Sequence, residues 1–305
     1  MKKYHTNGKL LITGEYLVLK GATAFAIPLN KGQTLMVETS NEAGLQWRAE
    51  TPNGLWFKAK FDDELKLLES TDHKKAETLQ LMLQKSVEQN PSIQSKLNNS
   101  SVTTMLEFDP SWGWGSSSTL LHLLEQWLRI NPYQLMDETI GGSGYDIACA
   151  VANSPIFYRR TAGTDPQITP AHFNPPFLQE MGIVYLNKKQ SSSSQVKSFL
   201  ASTSSQKDLV TEISELSEKF STTKEINSFM SLMHQHEQII AMATGLTPIQ
   251  ELLFPGFNGA VKSLGAWGGD FALFLSEENF NSNKKWFESK GYPVVIPLEE
   301  VIINR

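Results

Sequence analysis

Cysteine is nearly absent from this sequence: Cys149 is the only one in 305 residues. A single cysteine excludes an internal disulfide framework and a cysteine-based zinc site. Long apolar runs are also missing, and nothing approaches the roughly 20 residues that a membrane-spanning helix needs. Near the N-terminus the apolar stretch is confined to residues 10–12, too short for a signal peptide, so a cytoplasmic protein without membrane attachment is expected. No excess of basic residues exists either. With 27 Lys and Arg against 32 Asp and Glu, the formal net charge is −5, the wrong sign for a nucleic-acid binder, which carries a basic face. Phosphorylated small molecules remain open, because they need only local positive potential. The familiar phosphate fingerprints are missing as well: there is no G-x-x-x-x-G-K-[ST] and no G-x-G-x-x-G after a strand. The HRD…N and DFG set of protein kinases is absent. No fixed-period repeat occurs.

What is present is an ordinary globular composition, 40% hydrophobic and 19% charged, long enough for one large or two medium domains. Short apolar runs at 9–13 and 16–19 and strand candidates at 24–29 and 34–39 open the chain. Residues 44–60 alternate like a hairpin around Pro52-Asn53-Gly54. A long helical pattern covers 64–88, broken by the polar stretch 70–75, and 102–108 predicts a strand. Leu120, Leu121, Leu123, Leu124, Trp127 and Leu128 then predict a helix with one wide apolar face.

A strand is expected at 156–160, followed by a Pro-rich irregular region at 162–176. The boundary between two domains, 1–170 and 171–305, is placed there. Beyond it come a strand at 182–186, a serine run at 191–194, and helices at 196–201, 209–220, 226–244 and 247–254. A strand at 271–276 and one or two more at 294–303 complete the chain. This mixture predicts an α+β protein rather than a doubly wound sheet.

The chemistry-bearing features are glycine-rich turns. In Asp109-Pro110-Ser111-Trp112-Gly113-Trp114-Gly115-Ser116-Ser117-Ser118, two glycines permit backbone angles that residues with a Cβ resist, so successive N–H groups can converge on an anion. The serines supply hydroxyls for phosphate or magnesium, and a helix starting there adds its positive dipole end. Taken alone, the same turn reads more readily as a serine cap on a helix. Two more such turns follow, Gly141-Gly142-Ser143-Gly144-Tyr145-Asp146 and Gly265-Ala266-Trp267-Gly268-Gly269-Asp270.

Read together, four segments resemble the GHMP kinase superfamily in order and spacing. They are Asn7-Gly8-Lys9-Leu10-Leu11-Ile12-Thr13-Gly14-Glu15-Tyr16, Gly113 to Ser118, Gly142-Ser143-Gly144-Tyr145-Asp146-Ile147-Ala148, and Lys262-Ser263-Leu264 leading into Gly265 to Asp270. The superfamily includes galactokinase, homoserine kinase, mevalonate kinase and phosphomevalonate kinase. The Gly14-Glu15-Tyr16 and Gly268-Gly269-Asp270 tripeptides, the Ser143 to Ala148 segment and Tyr158-Arg159-Arg160 are most similar to phosphomevalonate kinases.

The resemblance implies a two-domain fold, with an N-terminal α/β domain like ribosomal protein S5 and a ferredoxin-like C-terminal α/β domain. It implies ATP and magnesium, and a small acidic metabolite, phosphomevalonate or mevalonate, as acceptor, in a monomer or homodimer. Gly113, Trp114, Gly115, Ser116, Ser117 and Ser118 would then hold the ATP phosphates, with Ser117 on magnesium. Asp146 would deprotonate or orient the acceptor, and Lys9 would stabilise developing negative charge. Glu15, Tyr16, Ser143, Gly144, Gly268, Gly269 and Asp270 would line the acceptor site. Leu135 stands where some mevalonate kinases carry a second magnesium carboxylate, with Glu138 out of register. Other activities of the same class, a related decarboxylase, or a non-catalytic ligand binder are the alternatives. Lys262, Arg159 and Arg160 read individually as surface charges, with binding of an anionic acceptor as the alternative. His234 and His236 read as partly buried or solvated helix positions, and Trp112 and Trp114 as packing residues, with shaping of the nucleotide site as the alternative.

Overall fold

A computed structural model describes residues 1–161, 163–187, 199, 206–265 and 269–303. The chain divides into two compact units with interleaved segments. The first takes Met1–Gly8, Lys31–Pro110 and Trp114–Val151, and the second takes Lys9–Asn30, Ser111–Gly113 and Ala152–Arg305.

In the first unit the strands are β1 (Lys2–Thr13), β2 (Ala24–Thr39), β3 (Leu45–Thr51), β4 (Gly54–Phe61), β5 (Leu67–Ser70) and β6 (Ser100–Leu106). The first two continue into the second unit. Strand order is β5-β4-β3-β6-β2, and β1 also pairs with β2. The β3–β6 pair is parallel, while the β3–β4, β4–β5 and β2–β6 pairs are antiparallel. The helices are α1 (His73–Gln89), α2 (Gln94–Leu97), α3 (Ser116–Leu128), α4 (Pro132–Glu138) and α5 (Tyr145–Val151).

Alternation along β3 and β4 buries Leu45, Trp47, Ala49, Phe57, Ala59 and Phe61 on one face, against Leu79 and Leu83 of α1 and Leu121, Leu124 and Leu128 of α3. Burying each large apolar side chain contributes about 1.5–3 kcal/mol. The α3 stripe is thus the core-facing one its spacing predicted. Caps set the helix starts: Asp72 accepts the Lys75 N–H at 3.1 Å for α1, and Asn131 accepts from Tyr133 and Gln134 ahead of Pro132 for α4.

Several elements differ from the sequence expectation. The runs at 24–29 and 34–39 are one 16-residue strand, because Gly32 lets β2 continue where a Cβ would lie 1.8 Å from the Thr6 carbonyl oxygen. The run at 16–19 is a 3-10 turn, Leu17–Lys20, not a strand. The first part of the 64–88 pattern is strand β5, and helix begins only after the Asp72 cap. Helix α4 carried no periodic signal.

In the second unit the first residues of β2 pair with β7 (Ile156–Arg159), which pairs with β8 (Gln167–Pro170). β8 thus occupies part of the region expected to be irregular. A separate antiparallel sheet has the order β10-β11-β9-β12, from β9 (Gly182–Tyr185), β10 (Ala260–Leu264), β11 (Phe271–Leu275) and β12 (Val295–Pro297). Its helices are α6 (Lys207–Thr222), α7 (Ile226–Thr244), α8 (Ile249–Leu253) and α9 (Phe280–Ser289). Phe254, Phe257, Phe274 and Phe287 form an aromatic core beside β9 and β11. The serine run at 191–194 lies outside the described residues, as does the helix expected at 196–201 except for Phe199. β10 and α9 were not anticipated.

Candidate active site

The first glycine turn has the geometry an anion cradle needs. Gly113 and Gly115 hold φ of 67° and 98°, in the left-handed region that only glycine enters without strain. Gly115 is the N-cap of the 13-residue α3, and no side chain caps its first turn, where a helix leaves N–H groups without an intrahelical acceptor. The serines divide by their partners. Ser118 is buried and donates to the Gly115 carbonyl at 3.0 Å, and Thr119 donates to Gln33 Oε1 at 2.7 Å. Ser116 is half-buried and Ser117 exposed, leaving these two hydroxyls as the ones at the surface.

The tryptophans of this turn are packing residues. Trp114 is 1% exposed and lies 5.7 Å from the Phe108 ring in the first unit. Trp112 meets Phe271 edge-on at 5.6 Å, beside Tyr185, in the second. Gly113 also sits against the third glycine-rich segment: a Cβ there would lie 1.8 Å from Asp270 Oδ2. Gly269 is buried and Asp270 half-buried. Gly268, with Ala266 and Trp267, lies outside the described residues.

The second turn feeds α5. Gly142 and Gly144 hold positive φ, the Gly144 carbonyl accepts from Ile147 at 3.1 Å, and Asp146 falls in the first helical turn, half-buried. Ser143 is half-buried, while Gly144 and Tyr145 are buried. Helix α5 packs against α3, and Thr6 ties it to β1 by donating to the Ala150 carbonyl at 2.9 Å. The first unit therefore brings Ser116, Ser117 and Asp146 onto a packed helix pair. Lys9, half-buried in β1, belongs to the second unit with Glu15, Tyr16, Gly269 and Asp270.

The second unit holds a buried charge cluster that sequence reasoning missed. Lys262, read above as a surface charge, is completely buried. Its ammonium donates to the Ile12 carbonyl at 2.7 Å, the Ser263 carbonyl at 2.6 Å and Glu15 Oε1 at 3.1 Å. Glu15 Oε2 lies 2.7 Å from His236 Nε2, with both side chains 1% exposed. Glu237 accepts from the Ile249 N–H at 2.9 Å and the Ser263 N–H at 3.0 Å.

Burial works against the Glu15 charge, but His236 and Lys262 beside it hold its carboxyl below the usual value. Burial drives His236 down despite Glu15. Burial also pushes Glu237 up to about 7, against the pull of Lys262. His236 is therefore neither solvated nor partly buried. Arg160, too, is buried, with its Nε donating to the Thr164 carbonyl at 2.8 Å. Signals for the cluster existed. Phe229, Met233, His236, Ile240 and Ala243 share the buried stripe of α7, and Lys262 interrupts an apolar strand.

Leu135 is in the apolar core, and Glu138 is exposed and bonded by Gln134. Among the described residues no group of three or more His, Cys, Asp or Glu could hold a metal ion. No helix among them is long and apolar enough to cross a membrane.

Compared with known proteins, the chain has the two-domain α/β fold of the GHMP kinases. Streptococcus pneumoniae phosphomevalonate kinase, solved with phosphomevalonate and AMPPNP, matches at a TM-score of 0.70 and 15% identity, over 98% of each chain. Methanococcus jannaschii mevalonate kinase matches at 0.69 and 14%, over 97% of this chain and 96% of that one. Lactococcus lactis galactokinase, solved with galactose, matches at 0.67 and 12%, over 99% and 93%. No protein-family model matches the sequence, and no curated protein does.

Proposed function

We propose that the protein is an ATP-dependent kinase of small acidic metabolites, acting in the cytoplasm on phosphomevalonate or mevalonate. The observation that carries this reading is the uncapped start of α3 behind two left-handed glycines, with Ser117 exposed at its first turn. The fold supports it, being shared with a kinase solved with AMPPNP.

On this reading the backbone of Gly113 to Ser118 binds the nucleotide phosphates, aided by the α3 dipole. The turn fits a magnesium–nucleotide. Ser117 offers an oxygen donor, and magnesium needs few protein ligands when phosphates and water complete its shell. Bound there, the metal neutralises phosphate charge. Asp146 orients the acceptor oxygen, and takes its proton when the acceptor is a hydroxyl. A phosphate acceptor, with a second pKa near 6, arrives already ionised at neutral pH. Lys9 meets the charge that builds on the transferring group. Such transfers have a loose transition state, so positioning and charge neutralisation dominate. Ser143, Gly144, Tyr16, Gly268, Gly269 and Asp270 are the residues assigned to the acceptor on this reading. Glu15, whose carboxylate is engaged by Lys262 and His236, serves through the turn it anchors. The proposed division into a nucleotide half, 1–170, and a remainder, 171–305, is one of sequence and differs from the two interleaved compact units.

ADP release, measured with mevalonate, phosphomevalonate, homoserine and galactose in turn, tests the proposal. Release dependent on one of the first two supports it. Release only with galactose or homoserine moves the acceptor to another branch of the class. Carbon dioxide from diphosphomevalonate points to decarboxylation, and no acceptor-dependent release at all points to a binding protein.

A further inference from the structure

Lys262, Glu15 and His236 are all but fully buried, and no step proposed above uses their side chains. A buried ammonium and carboxylate are costly unless every donor and acceptor is met. Here the Lys262 ammonium finds three oxygens, one of them Glu15 Oε1, and the His236 ring lies 2.7 Å from the other Glu15 oxygen. Where these bonds go is informative.

Among the described residues β10 is the edge strand of its sheet, and side chains take its outward groups. Gln250 donates to the Gly259 carbonyl at 3.0 Å and accepts from Val261 at 2.9 Å. Glu237 accepts from Ser263, and Lys262 closes the Ser263 carbonyl. The strand is thereby fixed up to Leu264, directly before the Gly265 to Asp270 segment. The same ammonium holds the Ile12 carbonyl at the end of β1, and through Glu15 the turn that follows. Tyr16 in that turn keeps φ at 60° and ψ at −49°, a conformation that persists only when its surroundings over-determine it.

We propose that Lys262 is a positioning residue of the phosphoryl transfer, tying the Gly14–Tyr16 turn, through Glu15, to the end of β10 at Ser263 and Leu264 and so holding the acceptor side in place. This rests on the kinase reading above and names what holds its acceptor side in place. His236 packs on the other side, its Nε2 2.7 Å from Glu15 Oε2 and accepting the Gly14 N–H at 3.4 Å, so it holds the same turn.

The test compares wild type with Lys262→Met and with the double variant Lys262→Met/Glu15→Gln. The single variant strands a buried carboxylate and is liable to unfold. The double variant removes both charges together and keeps the volume. Two readouts are taken on the double variant: steady-state kinetics with ATP and phosphomevalonate or mevalonate, and amide hydrogen exchange. A positioning role predicts an acceptor KM raised about tenfold with ATP KM within about twofold. It also predicts exchange about tenfold faster at residues 14–17 and 263–265, with the α3 amides unchanged. A purely structural role would lower Tm and leave the acceptor KM alone. Wild-type acceptor KM, or wild-type exchange at both segments, in the folded double variant overturns the proposal. Wild-type protein that turns over neither acceptor overturns the kinase assignment instead, a result visible before any variant is made.

Discussion

Gly113 and Asp270 lie so close that a β-carbon on the first would stand 1.8 Å from Oδ2 of the second. The glycine is required twice over, by that approach and by its φ of 67°. Gly113→Ala should weaken binding of the nucleotide analogue AMPPNP roughly tenfold, the equivalent of about 1.4 kcal/mol of strain. Adding Asp270→Gly removes the clash but leaves the dihedral strain, so it should restore only part of the affinity. Full affinity in the single variant, by titration calorimetry, would contradict the role given to this turn.

Asp146 tests the chemistry. Asp146→Ala should lower kcat by about a hundredfold or more while leaving ATP affinity within about twofold. The expected split follows from a group that faces the acceptor oxygen rather than the nucleotide. Wild-type turnover in this variant would sink the assignment.

Ser117 tests the metal. Its hydroxyl is exposed, whereas that of Ser118 is bonded to the Gly115 carbonyl. Ser117→Ala should raise the magnesium concentration for half-maximal activity about tenfold. Ser118→Ala should leave that midpoint in place and lower Tm instead. The opposite pattern would assign the metal to the wrong hydroxyl.

Glu237 predicts a pH effect on stability. Its carboxyl is raised from 4.5 to about 7 in the fold, chiefly by burial. A raised carboxyl binds its proton more tightly when folded. Its stabilisation is therefore complete below pH 4.5 and disappears as pH climbs through 7. The full swing is roughly 3 kcal/mol. His236, shifted down, acts in the opposite sense below its ordinary value, as does Glu15, so wild type alone does not isolate Glu237. Glu237→Gln loses one acceptor at every pH but has nothing to titrate. In urea melts, wild type should exceed this variant by more at pH 5 than at pH 7.5. An equal gap at both values would rule out Glu237 as the titrating group.

Local chemistry made much of this protein legible from its residues. The α7 span is the one its periodicity predicted, the β3–β4 hairpin turns at Pro52-Asn53, and α3 buries the face that Leu121, Leu124 and Leu128 define. The glycine turns were legible for the same reason: positive φ is a property of single residues. The split of 64–88 into β5 and α1 was not, because the β4 partner overrides helical patterning that the isolated segment possesses.

By itself the sequence determined the apolar stripes and the glycine-rich turns, together with the family resemblance that the fold then matched. Tertiary structure alone decided the charges. Lys262 became a buried ammonium rather than a surface lysine because Ile12 and Glu15, some 250 positions away, supply its oxygens. It likewise decided that Ser117 rather than Ser118 faces solvent, and which rings the packing residues Trp112 and Trp114 meet. Burial and pairing depend on neighbours brought together by folding, and no local pattern encodes which neighbour a charged side chain will meet.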